Sequence, residues 1–371
     1  ETALAAALTG LEQTPDAGQS DIAGLLEAQA ELFRRQGRAG DALAAAERAY
    51  ALRQAAAPPD PADIQNAAAL YGAALVDAGA PFDALDLLTA AVDAYAALPQ
   101  PDPLRHVRIF NDYAIALYAA GQPGPAADAA VQGADFAARI LGERHPLRAE
   151  ALNTYAASLA ALGDGAGAAQ WYAEAAAIRS ERLGPGHPDL ATTLNNYGVL
   201  LIAHDAGEAE SLLRRALAIR EAKLGPDHPW TASTLNNLAD LYRSQGRTGD
   251  ALATLKRAYD VTVARLGETH PDVATIRMNL GNLRAETGDP DGALEDYFAA
   301  LDIREAVLGA AHPATGETVY AVGILMVRQQ RWADAVGQLE QALRILVPSL
   351  GEASPAVVEA RAALAQAQAR R

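Results

Sequence analysis

The sequence predicts an all-α protein, an alpha-alpha superhelix of about eight 42-residue helix-turn-helix units followed by a C-terminal capping helix. Three observations predict it: one turn recurs at near-constant spacing, two small residues recur at fixed places between the turns, and glycine and proline punctuate each unit in the same order. Self-similarity at such a period marks a stacked array rather than a globular core.

The recurring turn reads Leu141-Gly-Glu-Arg-His-Pro146, Leu183-Gly-Pro-Gly-His-Pro188, Leu224-Gly-Pro-Asp-His-Pro229, Leu266-Gly-Glu-Thr-His-Pro271, Leu308-Gly-Ala-Ala-His-Pro313 and Leu350-Gly-Glu-Ala-Ser-Pro355. Its leucines are 42, 41, 42, 42 and 42 residues apart, and Pro61 and Pro103 extend the register backward. Between turns, one alanine recurs as Ala42, Ala84, Ala126, Ala168, Ala209, Ala251, Ala293 and Ala335. A second small residue recurs as Ala30, Gly72, Ala114, Ala156, Gly198, Ala239, Gly281 and Gly323. Side-chain size is restricted at both places, as it is where helices cross. A glycine inside a helix costs about 1 kcal/mol, so its use implies a gain from close packing.

Each element follows from this register. Residues 1–12 read as the second helix of a decayed unit, and 1–19 together as a degenerate helix and turn. Eight units occupy 20–354, with first helices starting near 20, 62, 105, 147, 189, 230, 272 and 314. The expected helices are roughly 14 and 16–18 residues long. Gly37, Gly79, Gly121, Gly163, Gly246 and Gly288 separate the two helices of a unit, and the fifth unit loses one residue there. Gly142, Gly184, Gly225, Gly267, Gly309 and Gly351 suit the left-handed position that ends a second helix. Pro188, Pro229 and Pro271 then suit the first turn of the next helix. Residues 355–371 form the capping helix, with a polar tail from Gln366 to Arg371. The domain reading is a single array over 1–371, because a hairpin of this kind buries its apolar face only against neighbours.

Composition narrows the function. Half the residues are hydrophobic but only 5% are aromatic, and the net charge is −16. A phosphate backbone needs a basic surface, so nucleic acid is not expected as a partner. No apolar run reaches the ~18 residues of a membrane span, so no membrane insertion is expected. With no cysteine, disulfides, thiolate metal sites and cysteine nucleophiles are ruled out. The sequence begins at Glu1 rather than Met, which reads as removal of a preceding segment. A cytoplasmic location is expected, with a periplasmic or secreted one left open.

Segments such as Thr234-Leu-Asn-Asn-Leu-Ala-Asp-Leu-Tyr-Arg-Ser-Gln-Gly-Arg247, followed by Asp250-Ala-Leu-Ala and closed by Leu266-Gly-Glu-Thr-His-Pro271, resemble kinesin-light-chain-type tetratricopeptide repeats, of a bacterial member. The resemblance covers nearly the whole chain and is strongest over 147–310. It implies that first helices line the concave wall of a right-handed superhelix, where extended peptides or partner helices are held. Carried onto this sequence, one row of that wall is Glu27, Ala69, Asn111, Asn153, Asn195, Asn236, Met278 and Tyr320. Its neighbour is Ala28, Leu70, Asp112, Thr154, Asn196, Asn237, Asn279 and Ala321. Arg108, Ile115, Tyr118, Val199, Asp240, Arg243, Asn282, Ile324 and Arg328 continue the same face.

The asparagines are the informative residues. A side-chain amide carries two donors and two acceptor lone pairs, so a ladder of amides can pair with a bound backbone. Helix propensity gives no reason to place asparagine mid-helix. The competing reading is that the amides bond neighbouring repeats and hold them in register. The only lysines, Lys223 and Lys256, lie on second helices, which disfavours the carboxylate clamp of chaperone-binding relatives. Heptads that would join a kinesin heavy chain are absent.

No catalytic constellation stands out. His145, His187, His228, His270 and His312 occupy one place in successive turns, and stacked helices 8–10 Å apart keep such residues too distant for zinc, which needs ligands at about 2 Å. No G-x-S-x-G, P-loop or H-E-x-x-H motif is present. Arg179, Arg220 and Arg304 lie beside Glu181, Glu221 and Glu305 and read as solvated helix faces. Trp171, Trp230 and Trp332 share no repeat position and read as local packing, as do Tyr113, Tyr155 and Tyr197. The expected function is a monomeric, non-enzymatic, cofactor-free module that binds another protein. Two alternatives stay open: the sensor part of an effector system whose enzyme, such as a caspase-like protease, is a flanking domain or a separate chain, and a self-assembling scaffold.

Overall fold

A computed structural model describes residues 2–12, 18–352 and 354–371; part of the expected N-terminal turn lies outside them. Eighteen helices and no strand occur among the described residues. The first helices of the eight units are α2 (Gln19–Arg35), α4 (Pro61–Asp77), α6 (Pro103–Ala119), α8 (Pro146–Ala161), α10 (Pro188–Leu201), α12 (Pro229–Ser244), α14 (Pro271–Thr287) and α16 (Pro313–Arg328). Their second helices are α3 (Ala39–Ala55), α5 (Pro81–Ala96), α7 (Pro123–Leu141), α9 (Gly165–Leu183), α11 (Ala206–Lys223), α13 (Thr248–Leu266), α15 (Pro290–Leu308) and α17 (Trp332–Leu350). Helix α1 (Thr2–Glu12) precedes them and α18 (Pro355–Arg370) follows. First helices start within two residues of the expected places. Most run to 16 or 17 residues rather than 14.

The two sets of small residues are contact points. All eight alanines of the Ala42 series are fully buried. A methyl at Gly72 would lie 2.6 Å from Leu88 of α5, and one at Gly323 would lie 2.8 Å from Leu339 of α17. The helices therefore approach too closely there for a side chain on both partners.

Helix starts are capped in a way the sequence reading missed. His145, His187, His270 and His312 sit at the N-cap, and each Nδ1 accepts the backbone N–H two residues on, at 3.1–3.2 Å. An aromatic nitrogen thus does the work usually done by Asp, Ser or Thr. The glycines ending second helices also differ from expectation. Gly142, Gly184, Gly267, Gly309 and Gly351 have φ of 79–97° but ψ of 155–164°. That is the extended region open almost only to glycine, not the left-handed helical one, and it lets the chain run straight on to the histidine cap. Between helices, Gln330 (φ 60°) stands where other units carry the positive-φ glycine.

The chain divides into two compact units, Glu1–Thr231 and Ala232–Arg371. In the first, one core layer joins the two helices of a repeat to the next first helix: Ala68 and Ala69 of α4 and Ala84, Leu88, Ala91 and Tyr95 of α5 meet Ile109 and Ala116 of α6. Successive first helices also touch one another, α2 on α4, α4 on α6 and α6 on α8, so their side is the inner one of a curved stack. The arc of this unit returns on itself. The Arg35 carbonyl lies 3.1 Å from His228 Nε2, and Gly37 packs so tightly on Pro229 that a methyl there would lie 2.6 Å from the proline ring. In the second unit, Ala293 and Tyr297 of α15, Val322 and Met326 of α16, Leu339 of α17 and Ala363 and Ala367 of α18 form one cluster.

Candidate functional site

Consecutive residues on a helix are 100° apart, yet burial does not divide the amides row by row. In the first unit Asn111 and Asn195 are buried, at 1% and 4% exposure, whereas Asn153 and Asn196 are half-buried. Asn111 Nδ2 donates to the Leu147 carbonyl at 3.0 Å and to Glu150 at 2.8 Å, tying α6 to α8. Asn195 Nδ2 donates to Asn196 Oδ1 at 3.1 Å, and Asn196 Nδ2 reaches Asn153 Oδ1 at 3.5 Å, tying α10 to α8. Buried Asn111 and the half-buried pair Asn153 and Asn196 thus each tie one first helix to the next, and Asn153 and Asn196 also keep an edge toward solvent. On the same face Tyr118 and Val199 are 42% and 41% exposed.

Asp112, on α6, lies among charges from three other first helices. Burial pushes its carboxyl up to about 8; Glu150, Glu31 and Asp77 push the same way and Arg34 opposes them. Arg34 is committed elsewhere, to Asp77 at 2.6 Å and Glu31 at 3.6 Å. Asp112 therefore keeps its proton through neutral pH far more readily than a free aspartate.

In the second unit Asn236 is buried and accepts from Asn279 Nδ2 at 2.9 Å, which ties α14 to α12. Asn237 and Asn279 are half-buried. Arg243 pairs with Asp240 at 2.8 Å and Glu286 at 2.6 Å, a small ion-pair network on this face. Two candidates turn to structural partners. Asn282 accepts from the Tyr297 hydroxyl of α15 at 2.7 Å, and the Tyr320 hydroxyl donates to Glu359 of α18 at 2.9 Å.

The arginines read as solvated faces are not solvated. Arg179 and Arg220 are 5% and 4% exposed. Arg179 donates to the Asp189 carbonyl at 2.8 Å and Thr193 at 2.7 Å; Arg220 donates to the Trp230 carbonyl at 2.6 Å and Thr192 at 3.2 Å. Arg304 repeats the pattern with the Ala314 carbonyl and Thr318. Each guanidinium anchors the first turn of the next first helix, where fixed N–H forks suit carbonyl and hydroxyl acceptors. The signal was present in the sequence: Arg179 and Thr193 recur at the same spacing as Arg304 and Thr318. Trp171 and Trp332 pack in core clusters, whereas Trp230 is 37% exposed beside the His228 ring.

Among the described residues no group of three or more His, Asp or Glu is placed to hold a metal ion, and no helix is long and apolar enough to cross a membrane. No curated protein matches the sequence. A solved chain carrying the kinesin-light-chain label, BtubC (BKLC) from P. vanneervenii, is similar at 24% identity, covering 61% of this chain and 91% of that one, with a TM-score of 0.48. The Rap conjugation gene regulator of plasmid pLS20, in complex with a Phr peptide, is 14% identical over 76% of this chain and 73% of its own, with a TM-score of 0.62. A Rap protein complexed with Competence and Sporulation Factor is 14% identical over 95% of this chain and all of its own, with a TM-score of 0.60. The tetratricopeptide repeat description matches residues 147–222, 198–262 and 272–346, more than half of the chain. With the paired helices, the fixed small-residue contacts and the inward first helices, that match makes this chain a member of the tetratricopeptide repeat family.

Proposed function

We propose that the inner face of the first unit holds an extended segment or helix of a partner protein, without catalysis. The observation that carries this reading is the pair Tyr118 and Val199. Both are large and apolar, both are more than 40% exposed, and both lie on first helices, which the resemblance assigns to the inner wall. Beside them, the half-buried amides of Asn153 and Asn196 keep capacity for a partner backbone. Two Rap chains of similar fold are solved in complex with a peptide or factor, which supports a protein-binding role. In the second unit, Asn237, Asn279 and the Arg243 network offer the equivalent polar surface.

The test starts from affinity capture in the source organism, followed by a measured affinity for the captured protein. Tyr118→Ala with Val199→Ser is expected to weaken binding more than tenfold while the melting temperature stays within about 2 °C, since exposed side chains contribute little to folding. Undiminished binding by that variant would place the partner on another surface.

A further inference from the structure

Five turns of the array carry a His-Pro pair at a helix start, so equivalent positions can be compared within the molecule. His145, His187, His270 and His312, with the prolines that follow them, are half-buried. His228 and Pro229 are buried, His228 to 5% exposure. Their cover comes from the first repeat. A methyl at Gly37, in the turn between α2 and α3, would lie 2.6 Å from the Pro229 ring. At the equivalent Gly163, Gly246 and Gly288 a methyl would meet nothing within 4 Å. Two turn positions that face open space elsewhere are thus pressed together here, within the first unit.

The imidazole of His228 bonds in both directions. Its Nδ1 accepts the Trp230 N–H at 3.1 Å, so the proton of the neutral ring sits on Nε2. Nε2 then donates at 3.1 Å to the carbonyl of Arg35, the last residue of α2, whose end leaves carbonyls without helical partners. Capping uses Nδ1, and Nε2 is the nitrogen that reaches across 193 positions of sequence. The end of α2 and the start of α12 carry opposite partial charges, which favours their approach.

Parting these two turns exposes no core. It returns His228 and Pro229 to the half-buried condition that four equivalent pairs already hold, and α12 keeps its cap. The joint between the second and third repeats, in contrast, buries Ala84, Leu88 and Ile109 completely. An arc whose closing contact is cheap to open, while its joints stay packed, has two arrangements available to it. In chain order α2 and α12 bound the first helices α4, α6, α8 and α10, two of which carry Tyr118 and Val199. The separation of α2 from α12 therefore sets the width of the entry to those helices.

We infer that the contact of Gly37 and Arg35 with His228 and Pro229 is a releasable clasp on the first unit, whose opening admits a bulky partner to the first-helix face. The gating half rests on the binding reading proposed above; the clasp itself does not.

The chain has no cysteine, so spin labels go only where thiols are introduced. Ala44→Cys on α3 and Ala222→Cys on α11 replace exposed alanines within the unit. His228→Asn retains a capping acceptor but loses the reach to Arg35. It is expected to shift the label separation, read by pulsed dipolar spectroscopy, to longer values. Pro229→Ala is expected to do the same, and His187→Asn, the same change at a half-buried turn, to leave the separation unaltered. In the native chain, urea below the unfolding transition is expected to lengthen the separation before helicity falls. Separations indifferent to both His228→Asn and Pro229→Ala, or lengthening only as helicity is lost, would overturn the clasp. Gating is read separately, with Tyr118→Cys as the single thiol. His228→Asn is expected to speed its reaction with a polyethylene-glycol maleimide roughly threefold and to leave its reaction with a small maleimide unchanged. Longer separations with no change in either rate would overturn the gating alone and place the fault in the binding-face reading.

Discussion

The histidine caps tie the fold to pH at the scale of single residues. Each Nδ1 must accept a backbone N–H, which it does only while that nitrogen is unprotonated. Burial holds the imidazoles of His145 and His312 below the usual histidine range, with Arg182 and Arg108 assisting at His145 and Arg304 at His312. The unfolded chain therefore binds protons first as pH falls below about 6.5, so this contribution is whole above that value and declines below it. Asparagine caps as well and does not titrate. Replacing both histidines by asparagine is expected to flatten the fall in stability between pH 7 and 5.5, read from denaturant midpoints. Asp112 acts oppositely, because its raised value makes the folded state the better proton acceptor between about 4 and 8. Comparing native and variant chains at each pH cancels that term.

Among the elements, the joints between repeats carry the specificity. Arg220 is buried away from water, and burial pulls its guanidinium down to about 10. It is held instead by the Trp230 carbonyl and Thr192. Arg220→Ala strips two acceptors of their donor in a closed site and is expected to cost about 2–4 kcal/mol, whereas Glu221→Gln changes stability by less than 0.5. Equal effects in chemical denaturation would refute the anchor. The amides divide the same way: Asn111→Ala is expected to lower the melting temperature by several degrees and Asn153→Ala by none that thermal melts resolve. The pairing of helices was legible in the sequence because Gly72, Gly323 and the Leu-Gly-x-x-His-Pro turns repeat with the structure. The anchors were not. An arginine beside a glutamate reads as surface, and whether Asn195 or Asn196 faces inward depends on a 100° step whose phase only the packed neighbours set.

Across the molecule, the least foreseeable contact lies within the first unit, between Arg35 and His228, 193 residues apart. Register predicts only which repeat follows which. Curvature accumulates from small angles at each helix joint, such as the Gly72–Leu88 and Gly198–Leu213 approaches, and those angles are properties of packing. On the proposed reading, a polypeptide held by the first helices of this unit would meet Tyr118, Val199 and the amide edges from several helices at once. The most direct test places a photo-activated cross-linking residue at position 118 in one chain and at position 140 in another, Ile140 being an equally exposed apolar residue of the second helix α7. Irradiated in cells of the source organism, the chain labelled at 118 is expected to give a discrete protein adduct and the chain labelled at 140 none. The same adduct from position 140, with nothing captured at 118, would contradict the account.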